Sequence, residues 1–341
     1  MTKNAQQDDQ TALPGNLNHV DDRDPGITRK AGAKGFFYRD ADGERISDEQ
    51  VLKRIKALAI PPAWRQVWIC PDPKGHIQAV GRDAKWRKQY RYHPGWRASR
   101  DRSKYDKMFE FGRALPRLRA RVEADLALHG LPRDKVLAAV VRLLELTLIR
   151  VGNDAYAKEN KSFGLTTLRM RHVELGATGA VFEFRGKSGV SHKAAFRDRK
   201  LARVVRACGD LPGQRLFQYL DEDGSRRAVG SSEVNDYLHE AMGDGFSAKD
   251  FRTWAGALTA LEYFDAHEPP ESAGQAKAMV KECVAQVARR LGNTPAVCRA
   301  CYIHPAVIEA FEAGTLTRPR VGTDPERRLI RLLEGARKAA A

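Results

Sequence analysis

The sequence predicts an α+β protein, in which a small β-rich N-terminal domain precedes a larger, mainly helical domain that contains a small antiparallel sheet. Short alternating segments separated by turn residues occupy 35–94, and long helical periodicity begins after Trp96. Inside the helical part, "HVELGATGAVFEFRGKSGVSHKAAF" alternates, turns at two glycine-containing bends and alternates again, which predicts about three strands. The predicted boundaries are a flexible tail over 1–30, a β-rich domain over 31–95 and a helical domain over 96–341.

In the N-terminal part, the tail is polar and lacks periodicity. The stretch "GFFYRDADGERI" has apolar ends around an Asp-Gly turn, which predicts a hairpin. A short amphipathic helix follows in "EQVLKRIKALAIP", where Pro61 and Pro62 stop it. The stretch "QVWICPDPKGHIQAVGRD" then predicts strand, turn and strand.

In the helical part, "PRDKVLAAVVRLLELTLIRVGN" places apolar residues on one helix face, with Gly152 as its predicted C-terminal stop. The stretch "SAKDFRTWAGALTALEYF" opens with a capping box, from Ser247 to Asp250. A terminal amphipathic helix over 325–338 is expected to pack on the helical domain.

The charge balance favours a polyanionic partner. Among 341 residues, 59 Lys and Arg face 43 Asp and Glu, a formal net charge of +16. The N-terminus lacks the apolar core of a secretory signal, and the apolar runs are too short to span a bilayer. Five cysteines, an odd number, predict free thiols in a reducing cytoplasm.

The segment 82–104 strengthens the indication of nucleic acid. It carries nine Lys and Arg against two Asp, interleaved with four aromatic residues. Cations supply phosphate contacts, while aromatics and amides supply stacking and base-edge contacts. The alternative is a solvated face with extended charged side chains.

Two other motifs lack their required context. The "GKS" that ends at Ser188 resembles part of a phosphate-binding loop, but the earlier glycine of that loop falls on Val181. The "CRAC" of Cys298 and Cys301 has no second pair to complete a zinc site. We therefore expect neither nucleotide nor metal binding there, and interpret both cysteines as buried or half-buried packing residues.

Five further residues each admit an ordinary structural role. Arg150 ends the predicted long helix, Lys187 lies in a hairpin turn, and Arg252 lies in the second turn of a helix. Asn293 follows a glycine, and Tyr302 lies in a short polar bend. Their order and settings together are what indicate catalysis.

The blocks that carry these residues resemble those of type IB DNA topoisomerases of the poxvirus-like and bacterial branch. They are "LIRVGNDAYAKENKSFGLTTLRMRHV" for Arg150, "FRGKSGVSH" for Lys187, "KDFRTWAGALTA" for Arg252 and "LGNTPAVCRACY" for Tyr302. The resemblance extends to "IPPAWRQVWICPD" and "GRDAKWRKQYRYHP" in the N-terminal domain, and covers about Gly35 to Glu312.

The resemblance implies a catalytic role for each of these residues. Tyr302 would be the nucleophile that forms a 3′-phosphotyrosyl bond, Arg150 and Arg252 would stabilise the transition state, and Lys187 would be the general acid. Asn293 stands where the poxvirus members have a histidine, so it can donate a hydrogen bond to phosphate but cannot transfer a proton. We interpret the nearby His304 as structural.

The resemblance also implies a two-domain clamp around duplex DNA, with supercoil relaxation that needs neither ATP nor a metal. The DNA contacts it implies in the segment 82–104 are Arg87, Lys88, Gln89, Tyr90, Arg91 and Tyr92. We expect no cofactor, a monomer, and a nucleoid-associated place in a bacterial cytoplasm. The alternatives are a tyrosine recombinase or integrase and a non-catalytic architectural DNA-binding protein. Recombinases usually carry a histidine where this chain has Lys249, and their clamping domain is usually helical.

Overall fold

The chain folds as two compact units, the first running to Tyr105 and the second beginning at Asp106. The computed structural model describes residues 13–14, 16–33, 35–317, 319–320 and 322–340.

Within its described residues, the first unit contains a five-stranded antiparallel sheet, one complete helix and the start of the long helix Pro94–Leu126. In the order β2-β1-β3-β4-β5, its strands pair only with neighbours that run the opposite way. The elements are β1 (Ile27–Gly32), β2 (Gly35–Arg39), α1 (Glu49–Ala57), β3 (Arg65–Ile69), β4 (Ile77–Arg82) and β5 (Lys88–Tyr92). The β-rich N-terminal part predicted from the sequence is confirmed.

The core of this unit lies between α1 and the sheet. Ile55 of α1 packs against buried side chains of three strands, Ile27, Val67, Ile69 and Ala79 among them. The helix starts where it does because the Asp48 side chain accepts hydrogen bonds from the first free N–H groups.

The prediction of a flexible tail through residue 30 is wrong for its last part. Strand β1 pairs with both β2 and β3, and Leu17 and Ile27 are buried. Single apolar residues without a period carry no local signal, and the partners that bury them come later in the chain. Residues 1–12 of the predicted tail lie outside the described residues. The predicted hairpin over 35–46 is present as a short turn, in which an antiparallel bridge joins Arg39 to Arg45 and the Ile46 N–H bonds the Tyr38 carbonyl at 3.0 Å. Most of β2 pairs with β1 instead.

The second unit is mainly helical, as predicted. Its first helix, α2, begins before the boundary between the units. The helices are α2 (Pro94–Leu126), α3 (Arg133–Thr147), α4 (Asp154–Asn160), α5 (Arg199–Asp210), α6 (Ser231–Met242), α7 (Ala248–Asp265), α8 (Ala273–Leu291), α9 (Pro295–Cys301), α10 (Pro305–Glu312) and α11 (Pro325–Ala340).

The strands of the second unit form the small antiparallel sheet expected from the sequence and one further pair. The order of the three-stranded sheet is β6-β7-β8, and β9 pairs with β10. These strands are β6 (Val173–Leu175), β7 (Gly179–Arg185), β8 (Ser191–Arg197), β9 (Gln218–Leu220) and β10 (Arg226–Ala228).

Helix α3 supplies much of the buried surface, but it ends earlier than predicted. The chain leaves the helix at Leu148, whose φ of 56° is left-handed, and not at Gly152. The Leu148 N–H still bonds the Leu144 carbonyl, and the Leu148 side chain stays buried. Arg150 therefore lies in the loop after the helix, and the expectation that it ends the helix is wrong.

The capping box that opens α7 is confirmed, with the Ser247 N–H bonded to the Asp250 carboxylate at 2.7 Å. The terminal helix α11 packs on this unit, as expected. Its Glu326 accepts two hydrogen bonds of 2.7 Å from Arg119 and one of 3.2 Å from the Trp254 ring N–H. Within the described ranges, none of the helices has the length and apolar character needed to cross a membrane.

Candidate active site

Arg150 and Asn293 are joined directly, although 143 positions separate them in the sequence. The Arg150 Nη2 donates to the Asn293 Oδ1 at 2.7 Å. Asn293 follows the end of α8, where Gly292 takes a left-handed φ of 57° and closes the helix. The loop after α3 and the loop after α8 therefore meet at this pair of side chains.

Arg252 is the buried cation of the site, with 6% of its surface exposed. Its Nη1 donates to the carbonyl of Leu148, and its Nη2 donates to the carbonyl of Leu291 at 2.6 Å. These carbonyls belong to the ends of α3 and α8, where helices leave their last C=O groups unsatisfied. One guanidinium on α7 thus holds together the two helix ends that lead to Arg150 and Asn293.

Tyr302 occupies the cap position at the end of α9, so the segment predicted as a polar bend is partly a short helix. Its N–H bonds the Cys298 carbonyl at 2.9 Å. The half-buried ring lies beside Arg252, with the guanidinium carbon 5.5 Å from the ring centroid. Helix α7 approaches so closely that a Cβ on Gly256 would lie 2.5 Å from the Tyr302 carbonyl oxygen.

Lys187 lies on an exposed short turn between β7 and β8, the hairpin position predicted for it. Lys187 borders a cavity of about 240 Å³, whose lining also includes Arg150, Arg252 and His192. None of the described residues that line this cavity is acidic. The cavity therefore has an excess of positive charge, which suits an anion.

The concentration of cations is reflected in the titration of two groups. Burial, and then repulsion by Arg150, lowers the pKa of the Arg252 guanidinium. Burial, and then the charges of Arg150 and Arg252, lowers the pKa of His192 below its ordinary value. Both shifts express the same physical condition, a partly desolvated site with positive charge and no opposing carboxylate among its described lining.

Two hydrogen-bond donors of the site have no acceptor within the part of the chain that the structure describes. They are the Nε of Arg252 and the Nδ2 of Asn293, both buried. A buried polar group without a partner costs free energy, so such groups are rare in folded proteins. Here they belong to side chains that touch Tyr302 and Arg150, so both donors are available to an anion bound beside them.

The predicted DNA-contact residues lie on and beside β5, in the first unit. Because side chains alternate along a strand, Lys88, Tyr90 and Tyr92 share one face, while Gln89 and Arg91 lie on the other. The rings of Tyr90 and Tyr92 stack at 5.8 Å, and Lys88 Nζ lies 5.5 Å from the Tyr90 ring centroid.

Several of these side chains are already engaged within the unit. Arg91 donates to the Ala59 carbonyl at 2.9 Å and lies over the Trp64 ring. Arg87 and Gln89 both bind the Asp83 carboxylate. The six residues thus do not form a single surface.

Sequence reasoning gave no role to His192, although the quoted block "FRGKSGVSH" ends on it. The available sequence signal was the alternating pattern of the two hairpin strands, which places His192 opposite Phe184. The expectation for His304 agrees with the structure, since its ring nitrogen caps α10 by accepting from the Ala306 N–H. All five cysteines, each within the described residues, are free; Cys298 is buried, but Cys301 is exposed, contrary to expectation.

Comparison with known proteins places the chain in a family. Residues 93–317 match the family "Eukaryotic DNA topoisomerase I, catalytic core", and residues 35–83 match "Bacterial DNA topoisomerase IB, N-terminal domain". DNA topoisomerase 1B of Acanthamoeba polyphaga mimivirus is 31% identical over 322 residues, covering 92% of this chain and 96% of the relative. DNA topoisomerase 1B of vaccinia virus, strain Copenhagen, is 26% identical over 297 residues, covering 81% and 89%.

The fold and these matches define a DNA topoisomerase, which is an isomerase. More narrowly, the chain belongs to the type IB DNA topoisomerases, in the branch that includes the poxvirus-like and bacterial proteins. The recombinase alternative is not favoured.

Proposed function

We propose that this protein relaxes supercoiled duplex DNA by transferring one strand to Tyr302 and back. The proposal rests on one observation. Two pairs of side chains from segments remote in sequence lie in contact, because Arg150 bonds Asn293 and the Arg252 guanidinium lies beside the Tyr302 ring. Arg150 and Arg252 also line one cavity. A tyrosine beside the Arg252 guanidinium, with a second guanidinium bonded to an amide at the same site, suits attack on a phosphodiester.

In the forward step, the Tyr302 Oη attacks the scissile phosphorus and forms a 3′-phosphotyrosyl bond. The bond from phosphorus to the 5′ oxygen breaks, that oxygen takes a proton from Lys187, and the phenol proton passes to water. The free 5′-hydroxyl end rotates about the intact strand and then attacks the phosphotyrosine to reseal the backbone. Because the covalent bond conserves the energy of the phosphodiester, resealing consumes no ATP.

The cations and the amide stabilise the transition state. A planar guanidinium matches two phosphate oxygens, so Arg150 and Arg252 suit the non-bridging oxygens. The unpartnered Asn293 Nδ2 is available as a third donor. Removing one such donor lowers the rate by about 10²- to 10³-fold in comparable oxyanion sites. Asn293 thus replaces the hydrogen bond of a histidine without transferring a proton.

Lys187 suits the role of general acid because its turn borders the same cavity as the two arginines. A 5′ alkoxide is a poor leaving group, so protonation of that oxygen is the part of the reaction that the guanidinium groups do not supply.

Duplex DNA is the proposed partner, held in a clamp to which both units contribute. The formal charge of +16 favours binding to the phosphate backbone. On β5, the Tyr90 and Tyr92 face is the proposed major-groove contact, while the other face serves the unit itself. The mechanism needs a monomer and no nucleotide, and we propose a bacterial, nucleoid-associated enzyme.

Plasmid relaxation tests the proposal. Wild type and Tyr302→Phe are compared on positively and negatively supercoiled plasmid, with a chelator and without ATP. Phenylalanine keeps the ring and removes only the nucleophilic oxygen. We expect wild type to relax both plasmids and the variant to relax neither, while both bind DNA equally. Tight binding without relaxation by wild type would refute the proposal, and activity only with paired specific sites would indicate a recombinase.

A further inference from the structure

The ring of His192 lies at the junction of two segments that carry proposed catalytic residues. It stands on β8, opposite Phe184 of β7, and the two rings stack at 5.5 Å. It also lines the cavity shared with Arg150 and Lys187. The mechanism above gives it no step, although it is a half-buried imidazole inside the site.

Two glycines contact opposite edges of this ring. A Cβ on Gly186 would lie 2.3 Å from the His192 Cδ2, and a Cβ on Gly292 would lie 2.7 Å from its Cε1. Both distances are shorter than any real Cβ contact. Gly186 needs no special backbone angle, since its φ is −95°, so what matters there is the space taken by the ring.

Each of these two glycines directly precedes a proposed catalytic residue in the sequence. Gly186 immediately precedes Lys187, and Gly292 immediately precedes Asn293. The imidazole therefore fills the gap between the backbone that carries the general acid and the backbone that carries the phosphate donor. Phe184 supports one face of the ring and limits its tilt.

The charge around His192 fits a spacer better than a proton carrier. Burial, and then the charges of Arg150 and Arg252, disfavour its protonated form. A neutral ring adds no further cation to a cavity that already holds several, and it packs against backbone as an uncharged flat group.

We propose that His192 is a positioning residue for strand cleavage, whose ring sets the separation between the Lys187 turn and the Asn293 loop. This inference rests on the proposed function, because it assigns His192 a role in delivering the Lys187 proton. An error of about 1 Å in the placement of a catalytic group lowers a rate by roughly 10²-fold.

The test measures single-turnover cleavage with a substrate that does not need the general acid. A site cleaved by wild type is first mapped on a labelled duplex, and the duplex is then synthesised with sulfur in place of the bridging 5′ oxygen at that site. A thiolate is a much weaker base than an alkoxide, so it departs without a proton. The variants are His192→Ala and His192→Phe, with Lys187→Ala and Asn293→Ala as references.

On the oxygen substrate, we expect His192→Ala to cleave about 10²-fold more slowly than wild type, with DNA affinity and melting temperature nearly unchanged. On the sulfur substrate, this loss should shrink by at least about tenfold, as it should for Lys187→Ala and should not for Asn293→Ala. His192→Phe keeps a flat ring between the glycines and should recover a large part of the rate. His129→Ala, at an exposed histidine of the same unit, is the matched control and should cleave as wild type.

Wild-type rates for His192→Ala would overturn the inference, and so would an equal loss on both substrates. Where the alanine variant melts early, the phenylalanine variant decides: a folded His192→Phe that is as slow as His192→Ala also overturns it. Failure of the proposed function looks different, because wild type itself would then cleave neither substrate.

Discussion

Helix α7 passes Tyr302, the proposed nucleophile, at Gly256, and the substitution Gly256→Ala tests whether that approach matters. The new Cβ would lie 2.5 Å from the Tyr302 carbonyl oxygen and 2.8 Å from the Tyr302 Cβ, where ordinary contacts begin at 3.4 Å. Relief of the clash therefore needs a displacement of about 0.9 Å. The atoms that must move include backbone, so rotation of a flexible side chain cannot absorb the shift.

Two effects of this substitution oppose each other in stability. Alanine is about 1 kcal/mol more favourable than glycine in a helix interior. Overpacking a buried contact costs about 1–3 kcal/mol. We expect the variant to remain folded, with a loss of at most about 2 kcal/mol in the free energy of unfolding. The displaced Tyr302 should cleave roughly 10²-fold more slowly.

The assay is single-turnover formation of the covalent adduct on labelled duplex, with DNA affinity and thermal unfolding measured in parallel. Gly335→Ala is the matched control, because it lies inside α11 and its Cβ would meet nothing within 4 Å. It should gain up to about 1 kcal/mol without a change in rate. Cleavage by Gly256→Ala at the wild-type rate would refute the reasoning.

Three further predictions concern single side chains. Arg252→Ala should lower the free energy of unfolding by roughly 2–4 kcal/mol, because two buried carbonyls lose their donor. Arg150→Ala should lower it by about 1 kcal/mol or less. Urea unfolding measures both changes. Burial acts to raise the pKa of Glu326, but the hydrogen bonds from Arg119 lower it below its ordinary value. The stability from this pair is therefore present above about pH 4.5 and is lost as the pH falls through the lowered pKa, and Glu326→Gln should flatten that part of the unfolding profile. Arg91→Ala should reduce the stability of the first unit by about 1 kcal/mol, as measured by thermal unfolding. In titrations with duplex DNA, it should weaken binding less than alanine substitutions of Tyr90 or Tyr92 on the opposite face of β5.

Each of these comparisons has a contrary outcome. If Arg252→Ala and Arg150→Ala lose the same free energy of unfolding, the Arg252 guanidinium does not stabilise the protein by joining α3 and α8. An unchanged acid profile in the glutamine variant would mean that other carboxylates govern acid unfolding. If Arg91→Ala weakens DNA binding more than substitutions of Tyr90 or Tyr92 do, the face of β5 that carries Gln89 and Arg91 contacts the DNA.

The local parts of the site could be predicted from the sequence. The alternation on both sides of "GKS" predicted the hairpin that carries Lys187, and the capping box fixed the start of α7, which places Arg252 in the second helical turn. These features follow from backbone periodicity and capping, which act within a few residues. The catalytic roles of these residues remain predictions.

What only the tertiary structure decided depends on residues far apart in the chain. Leu148 ends α3 in a left-handed conformation, which its side chain alone does not favour, and its carbonyl is held by Arg252, 104 positions later. Most of β1 was predicted as part of a flexible tail, because β2 and β3, the strands that pair with it, come later in the chain. The close approach of Gly256 to the Tyr302 backbone depends on the packing of α7 against a residue 46 positions later and leaves no local pattern in the sequence. Sequence periodicity reports which face of an element is buried, but it does not report what the buried face touches.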